Sequence, residues 1–281
     1  MSTTENNTPA IIAMCGKGGV GKTSLSAMIV KILLENPANR VLAIDADPAI
    51  GLSTALGIEV TKTVDDIRTD LIQRVQSGQS GNKADMLSRL DYEMFAALAE
   101  SDNLAFLAIG RPEKEGCYCQ VNHILKDIIG AMAQNFDYVV IDGEAGVEQV
   151  NRRVMAKVSH LVLVSDASAK GLNVVKTIKA VSDSAIEYEK VGLILNRLRG
   201  EEERGRLAIS TELNCLGWMP EDDTIRTFDI EGRSILETPD CPAIQAAKSC
   251  IALLGIPESC PLGERGAQSS RQLQMNALGS G

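Results

Sequence analysis

Eight consecutive residues near the N-terminus limit the possible folds of this chain more than any other feature. The stretch Gly16-Lys17-Gly18-Gly19-Val20-Gly21-Lys22-Thr23 fits the pattern G-x-x-x-x-G-K-[ST], follows the apolar run 11–15 and opens a helical pattern. Glycines let backbone N–H groups turn inward around phosphate oxygens, and the start of a helix adds partial positive charge. The stretch therefore predicts a strand, a phosphate-binding loop and a helix, in that order.

The residue types in this loop predict how ATP or ADP would be held. We expect Lys22 to reach the β- and γ-phosphates and the hydroxyl of Thr23 to ligate Mg²⁺. The other expected contacts to the nucleotide come from the loop and the residue that follows it, namely Gly16, Gly18, Gly19, Val20, Gly21 and Ser24. We therefore expect an ATPase that converts ATP to ADP and phosphate.

Short apolar runs alternate with longer helical patterns along most of the chain. Runs at 10–15, 40–45, 104–109, 137–142, 160–165, 191–196 and 216–219 are nearly continuous in Val, Ile, Leu and Ala, as in strands buried on both faces. Helical patterns cover 22–35, 121–134, 172–186 and 243–254. This alternation predicts an α/β fold, a doubly wound and mostly parallel sheet of about seven or eight strands.

The domain organisation follows from the same patterns. Residues 1–261 are predicted to form one ATPase domain, with a polar helical insertion near 51–102. Residues 262–281 are rich in Gly, Ser, Gln and Arg without periodicity, and we expect them to be disordered.

Charge and composition exclude several classes of protein. The net charge of −9 opposes nucleic-acid binding, which needs clustered Lys and Arg. No apolar run approaches the roughly 20 residues that span a bilayer, and the N-terminus lacks a signal-peptide pattern. We expect a cytoplasmic protein without stable membrane insertion. Seven cysteines are an odd number, so a disulfide framework is not expected, and Cys15, Cys215 and Cys250 are predicted to be small buried apolar residues.

A second lysine in the phosphate loop, Lys17, gives the form K-G-G-V-G-K-T. This form resembles the deviant Walker-A family, which includes nitrogenase iron protein, septum-site and partition ATPases, and metal-cluster maturation factors. The resemblance implies a nucleotide-sandwich homodimer in which Lys17 reaches the phosphates of the partner.

The resemblance extends to further segments and implies roles for their residues. The segment around Asp45-Ala46-Asp47-Pro48 looks like switch I, with Asp47 positioning the attacking water and Asp45 nearer Mg²⁺; helix capping is the alternative role for both. Asp142 ends an apolar strand, as in a Walker-B motif, and would hold the Mg²⁺ hydration shell. Asn196 would read the adenine edge, and the segment that ends at Pro220 would close over the base.

Two cysteines, Cys117 and Cys119, are separated by a single residue before a predicted helix. Thiolates at this spacing can ligate a soft or borderline metal, although two ligands do not complete a site for Zn²⁺ or Ni²⁺. A twofold symmetric dimer would supply the missing pair. Two incidental loop thiols are the alternative interpretation.

The surroundings of this pair favour the metal site. The segment Glu115-Gly116-Cys117-Tyr118-Cys119 and the stretch after Asp142 resemble the nickel-insertion ATPases that mature carbon monoxide dehydrogenase, the CooC family. The resemblance implies a metallochaperone that bridges Ni²⁺ or Zn²⁺ between two subunits, with carbon monoxide dehydrogenase or acetyl-CoA synthase as the client. His123 is either a further ligand or a surface residue, and His160 is predicted to be structural.

Two other functions remain as alternatives. An ATP-gated electron donor with an iron–sulfur cluster would need four thiolates, two from each subunit. In the nitrogenase iron protein family these come from separated segments, whereas this sequence has both in one tripeptide. A partition or septum-positioning ATPase is the third candidate, and the acidic charge opposes its DNA-binding form.

Overall fold

A computed structural model describes residues 8–78, 83–111, 119–144, 146–147, 150–151, 154–200, 202–203 and 213–256. For residues 83–85 and 119–120 it describes the backbone alone. The predicted tail 262–281 lies outside the described residues.

The core of the described structure is one eight-stranded sheet with the order β3-β4-β2-β5-β1-β6-β7-β8. All neighbouring strands are parallel except β3 and β4, which are antiparallel. The strands are β1 (Ala10–Gly16), β2 (Val41–Asp45), β3 (Ala99–Ser101), β4 (Leu104–Ala108), β5 (Tyr138–Asp142), β6 (Lys157–Ser165), β7 (Glu187–Leu198) and β8 (Cys215–Pro220).

The apolar runs of the sequence correspond to seven of these strands. Every residue of β2, β4 and β5 is buried, which explains why these strands read as continuous apolar runs without alternation. The predicted α/β class and the mostly parallel sheet are confirmed. The prediction missed β3, a three-residue edge strand.

Helices cover both faces of the sheet. One face carries α1 (Lys22–Leu34), α2 (Gly51–Leu56) and α8 (Pro242–Leu254). The other face carries α3 (Val64–Gln76), α4 (Lys83–Ala96), α5 (Cys119–Ala133) and α6 (Ala169–Ala185). A further helix, α7 (Asp223–Glu231), and a 3-10 turn at Ile235–Glu237 precede α8.

The helices predicted between 51 and 102 are α2, α3 and α4. The side chains of Ile67 and Leu71 in α3 and of Met94 in α4 belong to the same apolar cluster as the strand residues Leu42 and Leu107. Helices α3 and α4 therefore pack into the apolar core on one face of the sheet, whereas α2 packs on the other face. Thr63 begins α3 with a capping box, in which its side chain and that of Asp66 bond each other's backbone N–H groups.

The strand order brings the important loops to one edge. From β1 the chain crosses to β2 on one side of the sheet, whereas from β6 it crosses to β7 on the other side. In sheets of this kind, ligands bind at the carboxyl ends of the strands where the order reverses. The loop after β1 lies at this point. Among the helices of the described residues, none is long and apolar enough to cross a membrane.

Candidate nucleotide-binding site

The loop between β1 and α1 is closely packed against its neighbours. Gly19 and Gly21 have φ angles of 78° and 87°, the left-handed region that favours glycine. A Cβ at Gly16 would lie 2.2 Å from the carbonyl oxygen of Val164, and one at Gly21 would lie 2.4 Å from Nδ2 of Asn196. A side chain is therefore excluded at Gly16 by lack of space, and at Gly21 by lack of space and by backbone conformation.

Lys22 is the first residue of α1, and its side chain is folded over the loop. The residue is 7% exposed, and its Nζ donates to the carbonyl oxygens of Gly16 at 3.1 Å and Lys17 at 3.3 Å. The ammonium group therefore lies inside the curve of the loop, where a phosphate oxygen would meet it.

Two buried carboxylates stand side by side next to this loop. Asp45 ends β2 and Asp142 ends β5, and the two residues are paired in the register of these neighbouring strands. The hydroxyl of Ser26 donates to Oδ1 of Asp142 at 3.1 Å. Oδ2 of Asp142 is buried, and no described residue hydrogen-bonds it. An unpartnered buried carboxylate oxygen is costly unless it meets a cation or a donor.

The pKa values of both acids reflect this burial. Loss of solvent, followed by the negative charge of Asp142, raises the pKa of Asp45 to about 7, against the lowering effect of the N–H groups of Leu52 and Asp47. Loss of solvent also raises the pKa of Asp142 to about 6, against the lowering effect of the Thr23 and Ser26 hydroxyls and the Lys22 ammonium. A divalent cation at this edge would stabilise both ionised acids.

Asp45 and Asp47 also make the capping contacts that were their alternative role. Oδ2 of Asp45 accepts from the N–H of Leu52 in the first turn of α2 at 2.8 Å, and Oδ1 accepts from the N–H of Asp47 at 3.0 Å. Oδ1 of Asp47 accepts from the N–H of Ala49 at 2.9 Å, while the residue stays partly exposed. The carboxylate of Asp47 is therefore held near the site and keeps access to water.

Lys17 points away from its own loop toward the end of β6. Its Nζ lies 3.6 Å from Oδ2 of Asp166, and both side chains are about one third exposed. Asp166 also accepts from the N–H and the hydroxyl of Ser168, the N-cap of α6. Burial would raise the pKa of Asp166, but these hydrogen bonds and the charge of Lys17 outweigh it and lower the pKa.

A cavity of about 560 Å³ lies beside the helix start and is walled by α7. It brings together Ser24, Asn196 and Pro220, three residues that the sequence assigned to nucleotide binding. Nδ2 of Asn196 donates to the carbonyl oxygen of Val20 at 2.7 Å, so its amide contacts the phosphate loop. Asp222 lines the same cavity and accepts hydrogen bonds from N–H groups at the starts of both α7 and α8, which holds the two helix starts together.

The predicted metal pair falls at the edge of the described structure. Cys117 lies outside the described residues, and Cys119 begins α5 with only its backbone described. Elsewhere in the described ranges, no group of three or more His, Cys, Asp or Glu could hold a metal ion. His123 is largely exposed, with Nε2 3.6 Å from Oδ2 of Asp127. His160 is buried in β6, and its Nδ1 lies 2.8 Å from the hydroxyl of Ser159.

The remaining cysteines differ in one respect from the prediction. Cys15 and Cys250 are buried as expected. The prediction for Cys215 was wrong, because this residue is exposed at the start of the edge strand β8. An apolar run marks the strand but does not show which of its ends reaches solvent.

Sequence reasoning missed three residues of this site: Ser26, Asp166 and Arg197. Ser26 lies four residues after Lys22 on α1 and so on the same helix face, a spacing that could have identified it. Asp166 directly follows β6, and carboxylates at strand ends meet at one edge of such a sheet. Arg197, which donates to the carbonyl oxygen of Gly19 at 3.2 Å, has no comparable signal.

Comparisons with known proteins agree with this geometry. Residues 11–235 match the model of the CobQ/CobB/MinD/ParA nucleotide binding domain. An uncharacterized ATP-binding protein of Methanocaldococcus jannaschii is 36% identical over 233 residues, covering 82% of this chain and 92% of the relative. The carbon monoxide dehydrogenase accessory protein CooC of Rhodospirillum rubrum is 26% identical over 252 residues, covering 82% and 91%. The MinD cell division protein of Aquifex aeolicus superposes with a TM-score of 0.61 at 22% identity, covering 91% and 100%.

Proposed function

This chain belongs to the CobQ/CobB/MinD/ParA family of nucleotide-binding domains, and on that basis we propose that it is a Mg²⁺-dependent ATPase. The observation that carries the proposal is the buried carboxylate pair of Asp45 and Asp142 beside the phosphate loop. Oδ2 of Asp142 is buried without a partner among the described residues, next to the hydroxyl of Thr23. Oxygen donors of this kind fit Mg²⁺, which is bound by one or two carboxylates together with phosphate oxygens.

The residues around the phosphates would have separate roles in hydrolysis. Thr23 and Asp142 would hold Mg²⁺ directly or through its water, and the cation would neutralise charge on the β- and γ-phosphates. Lys22 would move from the carbonyl oxygens of its own loop to the phosphate oxygens. The partly exposed carboxylate of Asp47 would orient the water that attacks the γ-phosphorus in line with the leaving oxygen.

Lys17 supports a role for a second subunit. Its ammonium group points out of its own loop and is about one third exposed. We propose that Lys17 contacts the phosphates of a partner subunit, so that ATP joins two copies of the chain into a homodimer. Hydrolysis would remove the shared γ-phosphate and loosen this dimer.

The purpose of the ATPase is proposed to be metal insertion. Cys117 and Cys119 from each of two subunits would supply four thiolates to one Ni²⁺ or Zn²⁺ ion, which is the cargo. The similarity to CooC over most of both chains supports this proposal. A client that requires nickel, carbon monoxide dehydrogenase or acetyl-CoA synthase, would receive the ion when the dimer opens.

The ATPase is tested by measuring phosphate release from wild type, Lys22→Ala and Lys17→Ala. Loss of activity in Lys22→Ala is expected, because the ammonium group of Lys22 is folded over the loop and bonded to the carbonyl oxygens of Gly16 and Lys17. Lys17→Ala should lose activity and nucleotide-dependent dimerisation together. Normal behaviour of Lys17→Ala in both assays would contradict the cross-subunit role.

The metal site is tested by titrating Ni²⁺ and Zn²⁺ into wild type and the double variant Cys117→Ser/Cys119→Ser. We expect one metal ion per two chains, with binding lost in the double variant. Cys215→Ser is the matched control, because it removes an exposed thiol from the edge strand β8 and leaves Cys117 and Cys119 in place. Equal binding by all three proteins would refute the bridge.

A further inference from the structure

Two neighbouring side chains at the end of β7 both reach the phosphate loop. Nδ2 of Asn196 donates to the carbonyl oxygen of Val20 at 2.7 Å, and Nη1 of Arg197 donates to that of Gly19 at 3.2 Å. In a regular strand, consecutive side chains point to opposite faces of the sheet. Some local irregularity must therefore turn this pair toward the same target.

That irregularity is a β-bulge at these residues. Leu195 pairs with Trp218 and Leu198 pairs with Pro220, so three steps along β7 match two steps along β8. The extra residue breaks the alternation of side chains and bends the strand. Bulges of this kind are concentrated next to active sites, where they redirect a side chain.

The backbone of Arg197 is held in an uncommon conformation. Its φ angle is 58°, one of three positive values among described residues other than glycine. Oδ1 of Asn196 accepts from the N–H of Arg197 at 2.9 Å, which closes a ring through the Asn196 side chain and the peptide group between the two residues. An arginine in the left-handed backbone region costs free energy that a residue with ordinary strand angles does not. Such strain persists where the surrounding structure enforces it, often at functional sites.

The two hydrogen bonds determine the orientation of two peptide groups in the loop. The carbonyl of Gly19 shares a peptide plane with the N–H of Val20, and the carbonyl of Val20 shares one with the N–H of Gly21. In a trans peptide, C=O and N–H point in opposite directions. Holding both oxygens toward β7 therefore aims both N–H groups to the other side of the loop, where phosphate would lie.

We infer that Arg197, together with Asn196, is a positioning residue that pre-orients the phosphate-binding N–H groups of Val20 and Gly21. The inference rests on the proposed nucleotide-binding function and adds to it a specific role for the β7 bulge. Both side chains also line the cavity of about 560 Å³ beside the start of α1, where we expect the base to bind. The bulge therefore connects the base side of the site to the phosphate side. This role is separate from the adenine contact predicted for Asn196.

Arg197 is the better residue to substitute, because Asn196 is buried and its loss would disturb the bulge itself. Arg197→Gly removes the guanidinium group and keeps a residue that accepts a positive φ angle. Arg197→Lys keeps a cationic donor on a flexible stem. Arg199→Ala is the control, because Arg199 lines the same cavity but pairs with Glu221 at 3.1 Å.

The experiment compares the affinities of ADP and adenosine by NMR-detected titration, which tolerates weak binding, and records unfolding in urea for each variant. Arg197→Gly should weaken ADP binding by about five- to thirtyfold, as expected for one charged hydrogen bond that orients a phosphate donor. Adenosine binding should change by less than about twofold, since the ligand has no phosphate. Arg197→Lys should recover most of the loss, and Arg199→Ala should change both affinities by the same factor.

Equal weakening of ADP and adenosine by Arg197→Gly would overturn the inference, because it would assign the residue to the base. No change in either affinity would overturn it as well. A wild-type protein that binds adenosine but not ADP, or neither, would overturn both this inference and the proposed ATPase.

Discussion

Replacing Asp45 by asparagine tests whether burial beside Asp142 raises the pKa of the Asp45 carboxyl group in the protein without nucleotide or cation. Asp45 is fully buried, and its folded pKa of about 7 lies far above the ordinary value of 3.8. The folded protein therefore binds a proton that the unfolded chain has released. A raised carboxyl pKa contributes stability that is present below pH 3.8 and is lost as the pH rises through about 7.

The size of this effect follows from the two pKa values. One pKa unit corresponds to about 1.4 kcal/mol, and the extra proton is bound over most of the range from pH 5 to 7. Wild type should therefore lose about 2 kcal/mol of unfolding free energy over that range relative to Asp45→Asn. The variant also places an amide against the N–H groups of Asp47 and Leu52, which costs about 1–3 kcal/mol at every pH.

The assay is urea unfolding at pH 5, 6, 7 and 8 with a chelator and without nucleotide. Ile44→Val is the control, because this buried neighbour does not titrate and its substitution should lower stability by about 0.5–1.5 kcal/mol at every pH. The difference between wild type and Asp45→Asn must change with pH, whereas the difference from Ile44→Val must stay constant. A constant difference for Asp45→Asn between pH 5 and 7 would refute the reasoning.

Four further substitutions, one of them a control, address the loop and its surroundings. Ser26→Ala should lower the unfolding free energy by about 1–3 kcal/mol at pH 8 in urea titrations, because ionised Asp142 loses a buried hydrogen bond. An unchanged free energy of unfolding would show that the Ser26 hydroxyl does not stabilise Asp142. Gly21→Ala should destabilise the protein by more than about 1 kcal/mol, because it places an alanine in the left-handed backbone region with its Cβ against Asn196. Gly18→Ala is the control and should change stability by less than about 0.5 kcal/mol, since no atom lies within 4 Å of the added Cβ. Asp166→Asn should release Lys17 in both subunits and lower the dissociation constant of the ATP-dependent dimer by up to about thirtyfold, because each of the two exposed ion pairs contributes at most about 1 kcal/mol. Analytical ultracentrifugation showing weaker dimerisation would contradict this.

The sequence predicted most of the sheet because its strands are buried on both faces. Strands such as β2 and β5 have no solvent side, so their continuous apolar runs identify them without further information. The edge strand β3 escaped prediction because Glu100 and Ser101 are exposed and the segment has only three residues. Its existence depends on pairing with β4, which is a tertiary contact.

The loop residues were predictable for a different reason. Gly16, Gly21 and Lys22 occur at the spacing that predicts a loop between a strand and a helix, and the structure has β1 ending at Gly16 and α1 beginning at Lys22. The contacts of the loop with other segments depend on the order of the strands in the sheet, which no local sequence pattern indicates. Lys17 meets Asp166 because β6 is the neighbour of β1, and no pattern in either segment indicates that adjacency.

Strand order also explains why an arginine is needed at position 197. In the order β1-β6-β7, the strand β7 is two positions away from β1, which is about 10 Å at the usual spacing between strands. The guanidinium of Arg197 lies at the end of a long side chain and reaches the carbonyl oxygen of Gly19 from the bulged backbone. The shorter amide of Asn196 reaches the carbonyl oxygen of Val20. The bulge therefore determines where the side chains of Asn196 and Arg197 point. Among the natural residues, lysine is the replacement for Arg197 with comparable length and a hydrogen-bond donor at its end.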